Sequence, residues 1–313
     1  MNPDLLYIAG GGHSGTTLLN LILGSHPHTF GVGEINNLDD WILSRKLCTC
    51  GTMILECPAW APVFAKFAEG TCAIPEIPIK LATDATQPRT PFPGDTWHAP
   101  RYVMTRLGFC LLPVPAASRL AGLFGGPLWA RTQNAHSLYA ILRNVSKKRV
   151  VVESSKSVPR FRLLHAQRPD ATRAILMTRD GRGNMLSIRK RRNWSAASFA
   201  WRWRITSLYT LRLLEALPDQ TYLHVRYEEL VRQPESTINR ICAFAGLDFE
   251  PAMLAYRQVE HHHIGGNPIR VGTDETIVED LRWRSQLSPA DIATFERIAG
   301  SLNRRLLGPY YHP

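Results

Sequence analysis

Three groups of residues in this 313-residue chain have types and spacings that can do chemistry. The first is Gly10-Gly-Gly-His13-Ser14-Gly15-Thr16-Thr17. Glycines let backbone N–H groups approach an oxyanion closely, and a helix starting at Thr16 turns the positive end of its dipole toward it. The second is Arg179-Asp-Gly-Arg182-Gly-Asn-Met-Leu-Ser187. Arginine grips phosphate through a planar fork of N–H groups, and a serine hydroxyl adds another donor. The third is a pair of charges, Glu34 and Lys156, each just past or at the end of a predicted strand. Two anion-binding stretches, each behind its own strand, are far more specific than either alone.

The elements that must position these residues are legible from periodicity. Leu5 to Ala9 reads as a buried strand, and Leu18, Leu19, Ile22 and Leu23 fall at helical spacing after the glycines. Thr29 to Val32 reads as a short second strand, with Glu34 beyond it. Arg149 to Glu153 is a third, leading to Lys156, and a fourth ends at Arg179, before a helix that carries Ser187. Thr221 to Val225 is a fifth, running into Tyr227. Helices are predicted over 134–147, 195–216, 234–245 and 289–307, with Phe199, Trp203, Leu208 and Leu211 as core positions of the second. In a doubly wound sheet, ligands collect at the carboxyl ends of the strands, so Glu34 should face the first loop. A lysine at such an end is placed to neutralise charge on a transferring group.

The spacing Gly10-x4-Gly15 followed by Thr16 and Thr17 resembles a Walker A loop without the lysine that reaches the β- and γ-phosphates of a nucleoside triphosphate. Gly12-His-Ser-Gly-Thr-Thr-Leu-Leu19 more closely resembles the 5′-phosphosulfate loop of the sulfotransferases, enzymes that use 3′-phosphoadenosine 5′-phosphosulfate (PAPS). Their loop usually begins with lysine or arginine, and His13 stands in that position. Arg179 and Ser187 resemble the family's 3′-phosphate motif at the same spacing, with Gly181 where proline is common. The Gly33-Glu34 pair resembles the stretch that supplies the catalytic base in tyrosylprotein sulfotransferases, and Lys156 matches a lysine of the membrane-type enzymes. The Tyr227-Glu-Glu-Leu-Val run resembles a segment whose tyrosine lies by the adenine. The Gly-Asn-Pro-x-Arg270 run resembles one that closes over the nucleotide.

The resemblance implies an α/β fold: a P-loop NTPase-like parallel β-sheet of about five strands flanked by helices. It implies one domain over 1–313, with a mostly helical and irregular acceptor-side insert at about 46–133. It also implies the site: Glu34, His13 and Lys156 catalytic; Gly12, His13, Ser14, Gly15, Thr16, Thr17, Arg179, Ser187, Tyr227 and Arg270 on PAPS. The implied reaction is metal-independent, in-line sulfuryl transfer to a hydroxyl of a small-molecule, lipid or carbohydrate acceptor.

Composition bounds the rest. A chain of this length with 44% apolar residues can bury about three quarters of its unfolded surface in one large domain. A net charge of +11 suits an anionic partner, and does not itself choose among a phosphorylated cofactor, an acidic substrate, a membrane surface or nucleic acid. The basic run Arg189 to Arg192 lacks the aromatic platform of a nucleic-acid module, so no nucleic acid is expected. Only four residues precede Leu5, which predicts no signal peptide and a cytoplasmic protein. Cysteines there are thiols before they are disulfides. Cys48, Cys50, Cys57 and Cys72 lack two close pairs, and His261 to His263 cannot share one helix face, so no metal is expected. Residues 103–130 are the most apolar stretch; a buried hairpin, an apolar acceptor pocket and peripheral membrane contact stay open for it. Two other functions fit parts of this pattern: a Mg²⁺-dependent nucleotide kinase, and a non-enzymatic binder of polyanions or membrane surfaces.

Overall fold

The computed structural model describes residues 2–71, 126–189, 192–272 and 277–312. The apolar run that opens the chain forms strand β1 (Leu5–Gly10), and four more strands join it: β2 (Thr29–Gly33), β3 (Val150–Lys156), β4 (Thr172–Thr178) and β5 (Tyr222–Arg226). All pairings are parallel, in the order β2-β3-β1-β4-β5. Parallel strands covered on both faces are apolar throughout, as Leu5 to Ala9 and Val150 to Val152 are, all of them buried.

The helices are α1 (Thr16–Gly24), α2 (Leu38–Leu43), α3 (Ala61–Thr71), α4 (Gly126–Ser146), α5 (Val158–Gln167), α6 (Gly181–Arg189), α7 (Ala196–Glu215), α8 (Tyr227–Arg232), α9 (Pro234–Ala245), α10 (Trp283–Gln286) and α11 (Pro289–Leu307). Serine N-caps start three of them: Ser157 for α5, Ser195 for α7 and Ser288 for α11. Each oxygen accepts a first-turn N–H that has no partner within the helix. One sheet face packs Tyr7, Ala9 and Leu176 against α4, α5, α7 and α11. The other packs Leu6, Ile8 and Met177 against α1, α8 and α9. A third cluster around Phe295 joins α6, α7 and α11.

The P-loop-like parallel sheet flanked by helices is therefore the observed architecture. The predicted helices over 234–245 and 289–307 are found at those bounds, whereas α4 begins at Gly126, eight residues before expected. Leu208 is 36% exposed, whereas Phe199 and Leu211 are buried as predicted and Trp203 is partly buried. Tyr209 and Leu213, four residues apart, form a second buried stripe beside that of Leu211 and Leu214. Cys72, the proline-rich residues 73–101 of the insert, and residues 103–125 of the apolar stretch lie outside the described residues. No helix among the described residues is long and apolar enough to cross a membrane.

Candidate active site

Because every strand runs the same way, all five carboxyl ends share one edge, and the strand order fixes what stands beside what. Along that edge come Glu34 (after β2), Lys156 (the end of β3), the glycine loop (after β1), Arg179 (after β4) and Tyr227 (after β5). Residues distant in sequence thus form one charged row at the place where α/β sheets bind ligands.

The loop from Gly11 to Gly15 is held by conformation. Gly15 caps α1 with φ +85°, and a side chain there would run into the Tyr227 ring, its Cβ 2.7 Å from Cδ2. His13 adopts φ +63°, a left-handed backbone that histidine enters more readily than most residues. No side chain caps α1, so its first N–H groups are left to a ligand or to water. Ser14 is buried, and its hydroxyl accepts from Asn184 Nδ2 at 3.3 Å. The hydroxyl of Thr17 accepts from the backbone N–H of Asn267 at 3.2 Å, which draws the Gly265-Gly-Asn segment onto α1.

At the β2 end, the Glu34 carboxylate pairs with Lys156 Nζ through one oxygen and accepts from Asn37 Nδ2 at 3.1 Å through the other. Both side chains of the ion pair are about one-fifth exposed. Lys156 is in the left-handed region, φ +69°, which turns its side chain out of the β3 alternation. The backbone of Ile264 brackets Glu34: its N–H donates to Val32 O and its carbonyl accepts from Glu34 N. Arg270 lies with its guanidinium 5.5 Å over the Trp41 ring. Its buried Nε has no hydrogen-bond partner among the described residues.

At the β4 end, Arg179 is 8% exposed. Nη1 donates to the carbonyl of His13 at 3.0 Å, which ties the second anion motif to the first. Its guanidinium lies 4.5 Å over the Tyr227 ring, a cation–π contact. Gly183 lets it lie against α6, since a Cβ there would stand 3.1 Å from Arg179 Nε. Nη2 pairs with the Asp280 carboxylate at 3.1 Å. Hydrogen bonds from Arg282, then Arg179, hold that carboxyl well below the usual range, against the effect of burial. The Tyr227 hydroxyl donates to Val278 O at 3.1 Å, and burial raises its pKa. Ser187 is half-buried on α6 and donates to Gly183 O at 3.0 Å, so it must rotate to meet a ligand. Under Arg179, Glu228 accepts from Asp180 N at 2.9 Å, and burial pushes its carboxyl up to about 7.

Sequence reasoning missed Asp280, Asn184 and Gly183. Asn184 and Gly183 lie within the Arg179–Ser187 motif, so position could have flagged them; nothing local to Asp280 points to Arg179. A cavity of about 190 Å³ opens beside the loop, between it and α7. Gly10 to Gly12, Ser14, Arg179, Asn184, Trp194 and Trp203 are among its lining residues, and neither Glu34 nor Lys156 is.

An anion would fit this row. The start of α1 has no side-chain cap, and at Arg179 a carboxylate already occupies one side of the guanidinium. Residues 115–251 match the model of the sulfotransferase family. Among solved structures, the chain resembles the sulfotransferase domain of the curacin biosynthetic pathway (16% identity, TM-score 0.55, covering 100% of this chain and 99% of that one). It also matches the sulfotransferase domain of the Synechococcus PCC 7002 olefin synthase (20% identity, TM-score 0.48, covering 100% and 97%). No similar sequence was found among curated proteins. The family match over residues 115–251, with an architecture shared along the whole chain, bears out the resemblance to the sulfotransferases.

Proposed function

We propose that the chain transfers a sulfuryl group from PAPS to a hydroxyl-bearing acceptor. The observation that carries this reading is the order of residues along the carboxyl edge: Glu34, Lys156, glycine loop, Arg179, Tyr227. That order matches a donor with a reactive end, two separate anionic groups and a flat base. The donor supplies a sulfuryl group activated by its bond to phosphate.

Each residue then has one task. Gly12, His13, Ser14, Gly15, Thr16 and Thr17 bind the 5′-phosphosulfate through backbone N–H groups and the α1 dipole. Arg179 and Ser187 bind the 3′-phosphate, Arg179 exchanging Asp280 for it. Tyr227 lies by the adenine, and Arg270 adds a further phosphate contact. Glu34 accepts the proton of the acceptor hydroxyl as that oxygen attacks in line. Lys156 and His13 hold the negative charge left on the phosphate. Lys156 and Glu34 are paired in the free protein; as Lys156 turns toward the phosphosulfate, the Glu34 carboxylate is released to meet the acceptor hydroxyl. The aromatic cavity on the Arg179 side of the loop belongs to the donor half of the row, and the acceptor approaches from the Glu34 side. No lysine follows Gly15, which counts against nucleoside triphosphate hydrolysis.

Calorimetric titration with adenosine 3′,5′-bisphosphate tests the donor, with ATP and Mg²⁺ as comparison. One-site binding of the bisphosphate, weakened by Arg179→Ala, is expected. Binding of ATP with Mg²⁺ but not of the bisphosphate would replace this reading with phosphoryl transfer. Salt-sensitive binding of both without preference would point to a polyanion-binding surface.

A further inference from the structure

The loop from Leu47 to Trp60 is bent by an antiparallel bridge, Leu47 to Met53, around a tight turn at Cys48-Thr-Cys50-Gly51. Cys48 N donates to Thr52 O at 2.9 Å and Gly51 N to Cys48 O at 3.0 Å. These bonds put Cys48 and Cys50 on one side of the turn. Cys57 follows at the entry to α3, its carbonyl accepting from Trp60 N and Ala61 N. The fourth member comes from some two hundred residues away. Trp60 Nε1 donates to His262 O at 2.9 Å, and the His262 ring stacks on Phe30, with centroids 6.3 Å apart and planes 16° from parallel. Its Nδ1 therefore points at the thiols.

The ligand atoms of Cys48, Cys50, Cys57 and His262 all lie within 4.8 Å of one another. Cys50 Sγ is 3.7 Å from Cys57 Sγ, and His262 Nδ1 is 3.3 Å from Cys57 Sγ and 3.9 Å from Cys48 Sγ. A tetrahedral zinc with Zn–S of about 2.3 Å and Zn–N of about 2.05 Å has edges of roughly 3.8 Å between sulfurs and 3.6 Å between sulfur and nitrogen. The three separations just given fall within about 0.3 Å of those edges, and no two of the four atoms are more than 4.8 Å apart. A carboxylate oxygen of Glu260 is 3.7 Å from His262 Nε2, on the far side of the ring from the thiols and beyond hydrogen-bond distance.

We propose that Cys48, Cys50, Cys57 and His262 bind a structural Zn²⁺. Three thiolates and an imidazole select a soft tetrahedral ion over Mg²⁺ or Ca²⁺. Four protein ligands leave no open position, so the ion is structural and takes no part in transfer. Its effect is to clasp the 47–60 loop to the 260–266 segment. Thr49 reinforces the clasp, its hydroxyl donating to His261 O and accepting from His263 N. That segment also carries Ile264 against Glu34, and it runs on directly into Asn267, which lies against Thr17. The clasp thus fixes the strip of backbone that borders the charged row, whatever the reaction there.

Elemental analysis of protein purified under reducing, chelator-free conditions tests this, with Cys57→Ser and His262→Ala alongside. About one zinc per chain is expected in the native protein and a loss of most of it in either variant. Replacement by Co²⁺ in the native protein should give the thiolate charge-transfer and intense visible bands of a tetrahedral sulfur-rich site, a reading that does not depend on a variant folding. Stripping the metal under reductant should lower the thermal midpoint, and zinc alone should restore it. Native protein without zinc, and without cobalt bands on addition of Co²⁺, would overturn the proposal. So would a Cys50–Cys57 disulfide in the native protein, which would consume two of the ligands.

Discussion

Two cations flank the glycine loop, and each meets a carboxylate, but the two pairs are built differently. Lys156 and Glu34 sit at the ends of neighbouring parallel strands, whose pairing of Gly33 with Glu153 sets their separation. Both partners are rooted in the sheet, and both remain partly open to solvent. Arg179 is rooted in β4 and nearly buried, yet its partner Asp280 comes from irregular backbone between 277 and 282. A pair fixed from both sides can only be re-sorted by motion of side chains. A pair fixed from one side can lose its outer member to a ligand, because irregular backbone costs less to shift than a core strand. The first arrangement suits groups that exchange a proton and a charge, and the second suits a binding contact.

The comparison is broken most severely at Glu34. Glu34→Gln should lower turnover by about 10²- to 10⁴-fold, the range for a lost general base, while bisphosphate affinity stays within about twofold. A variant with near-native turnover would remove Glu34 from the chemistry and leave the strand-end pair a structural one. Arg179→Ala should weaken the bisphosphate by about 10- to 100-fold, matching roughly 1.5–3 kcal/mol for hydrogen bonds to a charged group. An unchanged affinity would mean that the buried guanidinium serves only Tyr227 and Asp280.

Glu228 reports on the buried end alone. Its carboxyl, raised to about 7 by burial, keeps a proton in the folded state that the unfolded chain has already lost. Stability should therefore fall as pH rises from the ordinary carboxylate range to about 7, and level off above it. Between pH 6 and 8 the loss is about 1 kcal/mol, from 1.36 kcal/mol per pH unit. Denaturant melts of Glu228→Gln should lack this component, and identical slopes in both proteins would contradict it. The smallest change is expected at Asp280. Asp280→Asn removes the charge that competes for Arg179, so the bisphosphate should bind about two- to fivefold more tightly, within the roughly 1 kcal/mol of a partly exposed ion pair. Weaker binding would show that Asp280 positions Arg179 for the ligand.

The strands and helices were legible where apolar residues kept a clean period. Leu5 to Ala9, the 234–245 helix and the 289–307 helix fall in that class. The placement of the charged residues behind the strands was legible because they lie within a few residues of a strand end, as Arg179 and Glu34 do. What escaped were contacts made across the fold. Asp280 reaches Arg179 over a hundred residues, and His262 meets Cys48 and Cys57 over more than two hundred. Spacing rules look for ligands close in sequence, so Cys48, Cys50, Cys57 and Cys72 were set aside for want of a second close pair, and the histidine run was set aside separately. Leu208 was misplaced because the period of a helix does not say which of its faces the neighbouring elements cover, and here Tyr209 and Leu213 are covered and Leu208 is not.

The strand order has a consequence for how the chain is made. β1 is the middle strand, and both of its neighbours, β3 and β4, lie more than 130 residues downstream. At roughly 5–20 residues per second, the ribosome takes on the order of ten to thirty seconds to deliver the second of them. Throughout that interval the run Leu5-Leu-Tyr-Ile-Ala has two open edges and no sheet to join. The most apolar of the described strands is thus the first of them made and the one that waits longest for its neighbours, and α1, the next helix made, is what stands ready to cover Leu6 and Ile8 in the meantime.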